Sequence, residues 1–142
     1  MDASFRGLDV INKKLVWVSG TKGTVLKTTD GGNTWENISV PNSIETDFRD
    51  IEGFDKNTAI VMGISSPARF YKTKNGGKNW DLVYFNEHKE VFFDGMSFWD
   101  SKNGIAFSDP VNGQHYLIRT KDGGETWQEI PSYVIPKKLE IE

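Results

Sequence analysis

The sequence predicts an all-β chain built from three four-stranded β-propeller blades. Two observations carry this prediction: a tandem-glycine segment occurs three times, and a phenylalanine-containing segment precedes each copy in nearly constant phase. A third is that no segment shows a sustained helical period. Of the 142 residues, 37% are hydrophobic and 13% aromatic, which excludes a disordered or collagen-like chain.

The tandem-glycine segment reads TTDGGNTW at 28–35, TKNGGKNW at 73–80 and TKDGGETW at 120–127, so its tryptophans fall 45 and 47 positions apart. The upstream landmarks begin at Phe5, Phe48 and Phe93, spaced 43 and 45 positions. Two landmarks kept in phase over three copies indicate a repeat architecture rather than chance similarity.

Each repeat predicts four short strands, because β-branched and aromatic runs alternate with Gly, Asn, Asp and Pro. We place them at 4–11, 15–20, 23–28 and 34–40, then 47–54, 58–64, 68–73 and 79–85, then 91–98, 103–108, 115–120 and 126–131. The blade repeats therefore cover 4–40, 47–85 and 91–131 of a single propeller segment 1–142, and 132–142 form a tail.

The tandem-glycine segments have a direct folding role. Two glycines permit the positive φ that a tight hairpin demands, and an Asp or Asn before them bonds the amides of the turn. A threonine ends the incoming strand and a tryptophan begins the outgoing one, where we expect each indole to pack on the blade core. The residues with this structural role are Thr28, Asp30, Gly32, Trp35, Thr73, Asn75, Gly77, Trp80, Thr120, Asp122, Gly124 and Trp127.

This pattern resembles the Asp-box, or bacterial neuraminidase repeat, Ser/Thr-x-Asp-x-Gly-x-Thr-Trp. The first and third segments match it fully, whereas the middle one has Asn75 for Asp and Asn79 for Thr, so we expect its turn to be looser. The chain is most similar to propellers of the photosystem II assembly and stability factor type and their secreted bacterial relatives. The resemblance implies a structural, non-catalytic role for the boxes. It also implies an exported protein, periplasmic or extracellular, whose signal peptide is absent from this sequence.

Ligand contacts are expected on the first strand of each blade, because that strand lines the central channel of a propeller. The candidates on or near these strands are Arg6, Arg49, Asp50, Glu52, Asp94 and Trp99. They predict a non-catalytic scaffold that binds a protein or a glycan at the channel face. The alternative interpretation is that these side chains are solvated strand ends and weak salt bridges between blades.

A glycoside hydrolase of the sialidase or xyloglucanase type is the rival hypothesis, with catalytic carboxylates partly outside this chain. Such an enzyme needs two carboxylates across the scissile bond, and Asp50 and Asp94 are the best candidates. Their phase argues against this role, because Asp94 follows its Phe directly while Asp50 comes one residue later, and successive strand side chains face opposite ways. An oxidoreductase has no supporting motif.

Composition excludes further classes. The chain has no Cys and two His, so we expect no metal site, and no motif predicts a cofactor. The net charge is −3 and no basic stripe is visible, which argues against nucleic-acid binding. No apolar run approaches the roughly 20 residues that span a bilayer.

Three blades leave two open flanks, whereas propellers typically close with about 4–8 blades. We therefore expect one of two arrangements. Either the missing blades belong to a longer chain, or two copies associate head to tail as a homodimer and close a six-bladed ring.

Overall fold

The computed structural model describes residues 2–64 and 66–137, and regular structure in this part of the chain is almost entirely β-strand. Twelve strands form three separate four-stranded antiparallel sheets, each in simple sequence order, which confirms the predicted all-β propeller blades. The one helical element in these ranges is a 3-10 turn, η1, at Ser132–Val134 in the tail.

Blade 1 contains β1 Phe5–Val10, β2 Val16–Gly20, β3 Val25–Thr28 and β4 Glu36–Asn37. Blade 2 contains β5 Phe48–Gly53, β6 Ala59–Gly63, β7 Ala68–Thr73 and β8 Asp81–Asn86. Blade 3 contains β9 Phe93–Phe98, β10 Gly104–Val111, β11 Gln114–Thr120 and β12 Gln128–Glu129. The first strands β1, β5 and β9 lie side by side across the blade boundaries.

The outer strands of blades 1 and 3 are shorter than the predicted spans 34–40 and 126–131. β4 and β12 have two residues each. Both begin later than predicted because the preceding tryptophan still belongs to the box turn, where Trp35 Nε1 donates to the Gly32 carbonyl and Trp127 Nε1 to the Gly124 carbonyl, each at 3.1 Å. In the other direction β10 runs past the predicted 108, since its hairpin with β11 turns only at Asn112 and Gly113, both with positive φ.

The Asp-box turn is held together by one threonine and one aspartate. In the first box the Thr28 hydroxyl donates to Asp30 Oδ1 at 2.8 Å and accepts the Gly32 N–H at 2.9 Å. Asp30 in turn accepts the Thr34 N–H at 2.9 Å and the Thr34 hydroxyl at 2.6 Å. These bonds hold the pKa of Asp30 near 2, led by the Thr34 side chain, so the carboxylate stays ionised.

The middle box keeps the same turn with one longer bond, because the Thr73 hydroxyl lies 3.2 Å from Asn75 Oδ1, against 2.8 Å for the equivalent bond in the first box. Asn75 Oδ1 accepts the Asn79 N–H at 2.9 Å, and the Thr73 hydroxyl accepts the Gly77 N–H at 2.9 Å. Gly77 has φ +91, close to the +93 of Gly32 in the first box. An amide oxygen can therefore replace the carboxylate oxygen in this turn, because the essential bonds need only an acceptor.

The hydrophobic core lies between the blades. One buried cluster joins blades 1 and 2 around Trp17 and Phe48, and a second joins blades 2 and 3 around Phe70 and Phe93. Trp17, Phe48, Phe70 and Phe93 are completely buried. Because the core forms where one blade packs against the next, the outer faces of blades 1 and 3 have no blade packed on them within the described residues.

Box tryptophans pack on the blade that precedes their own. Trp80 of blade 2 donates from Nε1 to the Ile38 carbonyl of blade 1 at 2.9 Å, and Trp127 of blade 3 packs edge-on against Phe70 of blade 2 with ring centroids 5.3 Å apart. The expected core packing therefore holds for these two. It does not hold for Trp35, which is 44% exposed because no blade in the described part of the chain packs on that side of blade 1.

Candidate functional site

Carboxylates on the first strands join each blade to the next. Asp9 of β1 accepts the Gly53 N–H of β5 at 2.6 Å, and Asp50 of β5 accepts the Met96 N–H of β9 at 2.9 Å. Sequence reasoning missed Asp9, although its phase was a usable signal: Asp9 lies four residues after Phe5, as Glu52 lies four residues after Phe48. Asp50 and Asp9 thus satisfy backbone donors of the neighbouring blade.

Glu52 is the most perturbed acid of this group. Burial raises its pKa to about 7, and the negative charges of Asp9 and then Asp50 act in the same direction. A hydrogen bond from the Phe98 N–H opposes the rise. Burial also raises the pKa of Asp50, against the hydrogen bonds that it accepts from Met96 and Ile51.

Replacing Glu52 with Gln is expected to change how stability depends on pH. The folded pKa of Glu52 is raised above the ordinary 4.5, so between pH 4.5 and 7 the folded state holds a proton that the unfolded state has released. Stability therefore falls as pH rises through this window. Glu52→Gln keeps the oxygen acceptor but cannot ionise, and urea unfolding midpoints should decline less across the window. Parallel wild-type and variant profiles would contradict this.

A β-bulge lies near the start of the first strand in every blade. Register shifts between Phe5 and Gly7 in β1, and between Phe48 and Asp50 in β5, leave Arg6 and Arg49 as the extra residues. In β9 the shift leaves Asp94 extra, since Phe107 faces Gly95 while Ser108 faces Phe93. Bulges commonly re-aim side chains next to functional sites. Arg6, Arg49 and Asp94 thus occupy equivalent positions at one end of the blades, which we call the bulge end.

Two of these bulge residues interact. Arg49 Nη2 lies 3.5 Å from Asp94 Oδ1, and the Arg49 guanidinium lies 5.7 Å from the centre of the Phe92 ring. Both charged groups are partly exposed, with Arg49 43% and Asp94 29% accessible at the side chain. The Arg49 guanidinium, over the Phe92 ring and beside the Asp94 carboxylate, therefore forms a partly exposed polar patch at the bulge end.

Two further candidates from the sequence, Arg6 and Trp99, lie away from the pair of Arg49 and Asp94. Arg6 lies on the open flank of blade 1, where it lines an apolar cavity of about 670 Å³ with Phe5 and Leu8. Trp99 is 63% exposed and follows β9 at its far end, where its N–H donates to the Asn103 carbonyl. Arg49 and Trp99 therefore lie at opposite ends of the blades and do not share one site.

The geometry gives Asp50 and Asp94 different tasks. Asp50 is largely buried and bonded to the Met96 and Ile51 backbone, while Asp94 forms an ion pair with Arg49. Neither has the arrangement of a general acid facing a second free carboxylate.

In residues 2–64 and 66–137, no cluster of three or more His, Cys, Asp or Glu side chains could hold a metal ion. The three-residue η1 is the one helical element of these ranges, so they contain no helix that could span a bilayer.

The fold and the boxes define an Asp-box β-propeller. The chain belongs to the family of the photosynthesis system II assembly factor YCF48, whose family profile matches residues 1–89. Two curated relatives are the chloroplastic photosystem II stability/assembly factors HCF136. The one from Arabidopsis thaliana is 36% identical over 69 residues, covering 45% of this chain, and the one from Oryza sativa subsp. japonica is 25% identical over 114 residues, covering 77%.

Solved structures share the fold. YCF48 bound to D1 peptide matches with a TM-score of 0.69 at 23% identity over 89% of this chain, and YCF48 from Cyanidioschyzon merolae with 0.67 at 23% over 90%. The GH74 enzyme of Niastella koreensis matches with a TM-score of 0.61 at 17% identity over 82% of this chain. This chain spans 16% and 26% of the two plant relatives and 40%, 40% and 20% of the three structures.

Proposed function

We propose that this chain is a non-catalytic scaffold that binds a protein segment at the bulge end of the channel-side strands. The observation that carries the proposal is the shared register of Arg6, Arg49 and Asp94, each the extra residue of a bulge. Membership of an assembly-factor family supports a protein ligand, and one structure that this chain resembles is YCF48 bound to D1 peptide. Export of the chain is part of the proposal, and the chloroplastic plant relatives are compatible with it.

Arg49 is the residue expected to contribute most. It is partly exposed, and its only recorded ion pair among the described residues, with Asp94, is long at 3.5 Å, so its N–H donors are available to a peptide carboxylate. A glycan remains the second ligand class for this face. We favour a peptide because Trp99, the aromatic candidate for stacking on a sugar, lies at the opposite end of β9.

Arg49→Gln is expected to weaken binding of a synthetic D1 peptide by about tenfold or more, because a hydrogen bond to a charged group is worth roughly 1.5–3 kcal/mol. Isothermal titration calorimetry measures the change. Lys102→Gln is the control, since Lys102 is exposed in the β9–β10 turn at the other end of the blade. Equal loss in both variants, or no loss in Arg49→Gln, would contradict the proposed site.

We further propose that the open flanks support association of two copies. The blade 1 flank exposes Phe5, Leu8 and Val10 at 55%, 66% and 59%, together with Trp35. Apolar groups gathered this closely on a surface mark an interface. Its apolar cavity lies where a preceding blade would pack, as blade 1 packs against blade 2.

The open flank of blade 3 would form the other side of this interface. Lys27 of blade 1 donates to the Gly76 carbonyl in the second box at 2.9 Å, and Lys72 of blade 2 pairs with Glu125 in the third box at 2.8 Å. Arg119 holds the equivalent register position in blade 3 and is exposed. In a head-to-tail dimer, Arg119 would contact the first box of the second copy, as Lys27 and Lys72 contact the box of the blade that follows their own.

Light scattering at micromolar concentration should therefore give about twice the 16.1 kDa chain mass. Leu8→Asp should shift the particle to a monomer, because it places a charge in the apolar flank. Leu82→Asp is the control, since Leu82 is 51% exposed on the outer strand of blade 2. A monomer in the wild type would overturn self-association and favour further blades of a longer chain.

A further inference from the structure

A groove of about 570 Å³ lies on the outer side of the boundary between blades 1 and 2. The second Asp-box forms much of its wall through Lys74, Asn75, Lys78 and Asn79. The groove is separate from the bulge residues, because the boxes follow the third strands at the other end of the blades. Nothing in the proposed channel-side function uses these residues.

The second box differs from the other two in charge. It carries Lys74 and Lys78 and no acidic residue. The first box has one acid, Asp30, and no base, and the third has Asp122 and Glu125 against a single lysine. The three turns share one backbone geometry, so this difference has no origin in the fold of the turn.

The two asparagines turn an acceptor site into a donor site. In the first box both Asp30 oxygens are filled by the Thr34 N–H and hydroxyl. In the second, Asn75 Nδ2 donates to Asn79 Oδ1 at 2.9 Å, and no acceptor for Asn79 Nδ2 is recorded among the described residues. Asn75 and Asn79 are both exposed, so amide N–H donors face solvent where the other boxes hold a carboxylate.

The positive charge of the groove is only partly balanced. Lys74 lies 3.2 Å from Glu125, but the same carboxylate oxygen lies 2.8 Å from Lys72, so one anion serves two ammonium groups. Lys78 is exposed and forms no ion pair within the described residues. Asp81 lines the groove as its one acidic residue.

Two aromatic rings with fixed positions complete the lining. Trp80 is held by the bond from Nε1 to the Ile38 carbonyl, and Tyr71 packs edge-on against buried Phe48 with ring centroids 5.9 Å apart. Both rings are half-buried, so each keeps part of its surface in the groove. Apolar rings beside a few convergent polar groups are the usual composition of a small-ligand site.

We propose that this groove binds an acidic saccharide. Its carboxylate fits between the Lys78 ammonium and the Asn79 amide, as a charge-assisted hydrogen-bond acceptor. The apolar face of the sugar ring packs against Trp80 and Tyr71. A simple inorganic anion would leave the aromatic wall unused, and a neutral sugar would leave the lysines unused.

The test uses tetragalacturonate as the probe and isothermal titration calorimetry as the readout. Lys78→Glu is expected to weaken binding by about tenfold or more, because it replaces the main attractive charge with a repulsive one. The double change Asn75→Asp with Asn79→Thr should do the same while restoring the sequence of the other boxes, which fold into the same turn. Lys121→Glu in the third box is the control and should leave binding unchanged. Thermal unfolding of each variant verifies that it is folded.

Three results would overturn the proposal. The first is no binding of tetragalacturonate at millimolar concentration by the wild type. The second is equal binding of neutral cellotetraose, which would remove the role of the lysines. The third is Lys78-dependent binding of a glutamate-rich peptide in place of the sugar, which would make the groove a peptide site. Loss of D1 peptide binding in Arg49→Gln is independent of all three.

Discussion

Trp127→Ala is expected to lower the free energy of unfolding by about 3 kcal/mol, the low end for truncating a large aromatic in a core, because the indole is only partly buried. The ring packs edge-on against Phe70 of blade 2 and Phe98 of its own blade, with centroids 5.3 and 5.8 Å away. Truncation removes both contacts and leaves a void at the boundary of blades 2 and 3. Urea unfolding followed by circular dichroism gives the value.

Trp35→Ala is the matched control for this prediction. Trp35 begins the same box in blade 1 and makes the same bond from Nε1 to the second glycine carbonyl, at 3.1 Å as in Trp127. It is 44% exposed in a single chain, so in the monomeric Leu8→Asp background its truncation should cost under about 1 kcal/mol. Equal losses in the two variants would show that the tryptophan acts within its own turn rather than between blades.

Local chemistry explains why the blades could be predicted from the sequence. The box turn closes through Thr28, Asp30 and two glycines with positive φ, all within five residues. Such a turn leaves its signature in the sequence wherever it occurs. Asn75 keeps the turn because its amide oxygen accepts the Asn79 N–H as a carboxylate oxygen does, while its bond from the Thr73 hydroxyl is longer, at 3.2 Å.

The candidate site could be predicted only in part, because its geometry depends on contacts between blades. The common phase of Arg6, Arg49 and Asp94 was visible in the sequence, but their bulges follow from strand pairing with the second strands. Asp9 was missed because its partner, the Gly53 N–H, is 44 positions away. Trp99 was grouped with Arg49 although a full strand length separates them.

Packing between blades also determines how much stability is lost when the second glycine of a box is replaced by alanine. Gly124 has φ +83, and a Cβ added there would overlap Ile60 Cδ1 of blade 2, a completely buried side chain. Gly32 has φ +93, but an added Cβ would meet only its own Trp35 at 3.8 Å. Both alanine variants bear the left-handed strain of about 1–2 kcal/mol.

Only Gly124→Ala adds overpacking, which costs roughly 1–3 kcal/mol more. We therefore expect Gly124→Ala to destabilise the protein by about 3 kcal/mol and Gly32→Ala by about half of that, both measured by urea unfolding in the monomeric Leu8→Asp background. Ile60→Val combined with Gly124→Ala should recover part of the loss, because it removes the methyl group that the new Cβ overlaps. Equal costs at Gly124 and Gly32, with no recovery in the double variant, would mean that the box glycines serve the turn alone. The boundary between blades 2 and 3 would then accommodate a methyl group where Gly124 of the third box approaches Ile60 of blade 2.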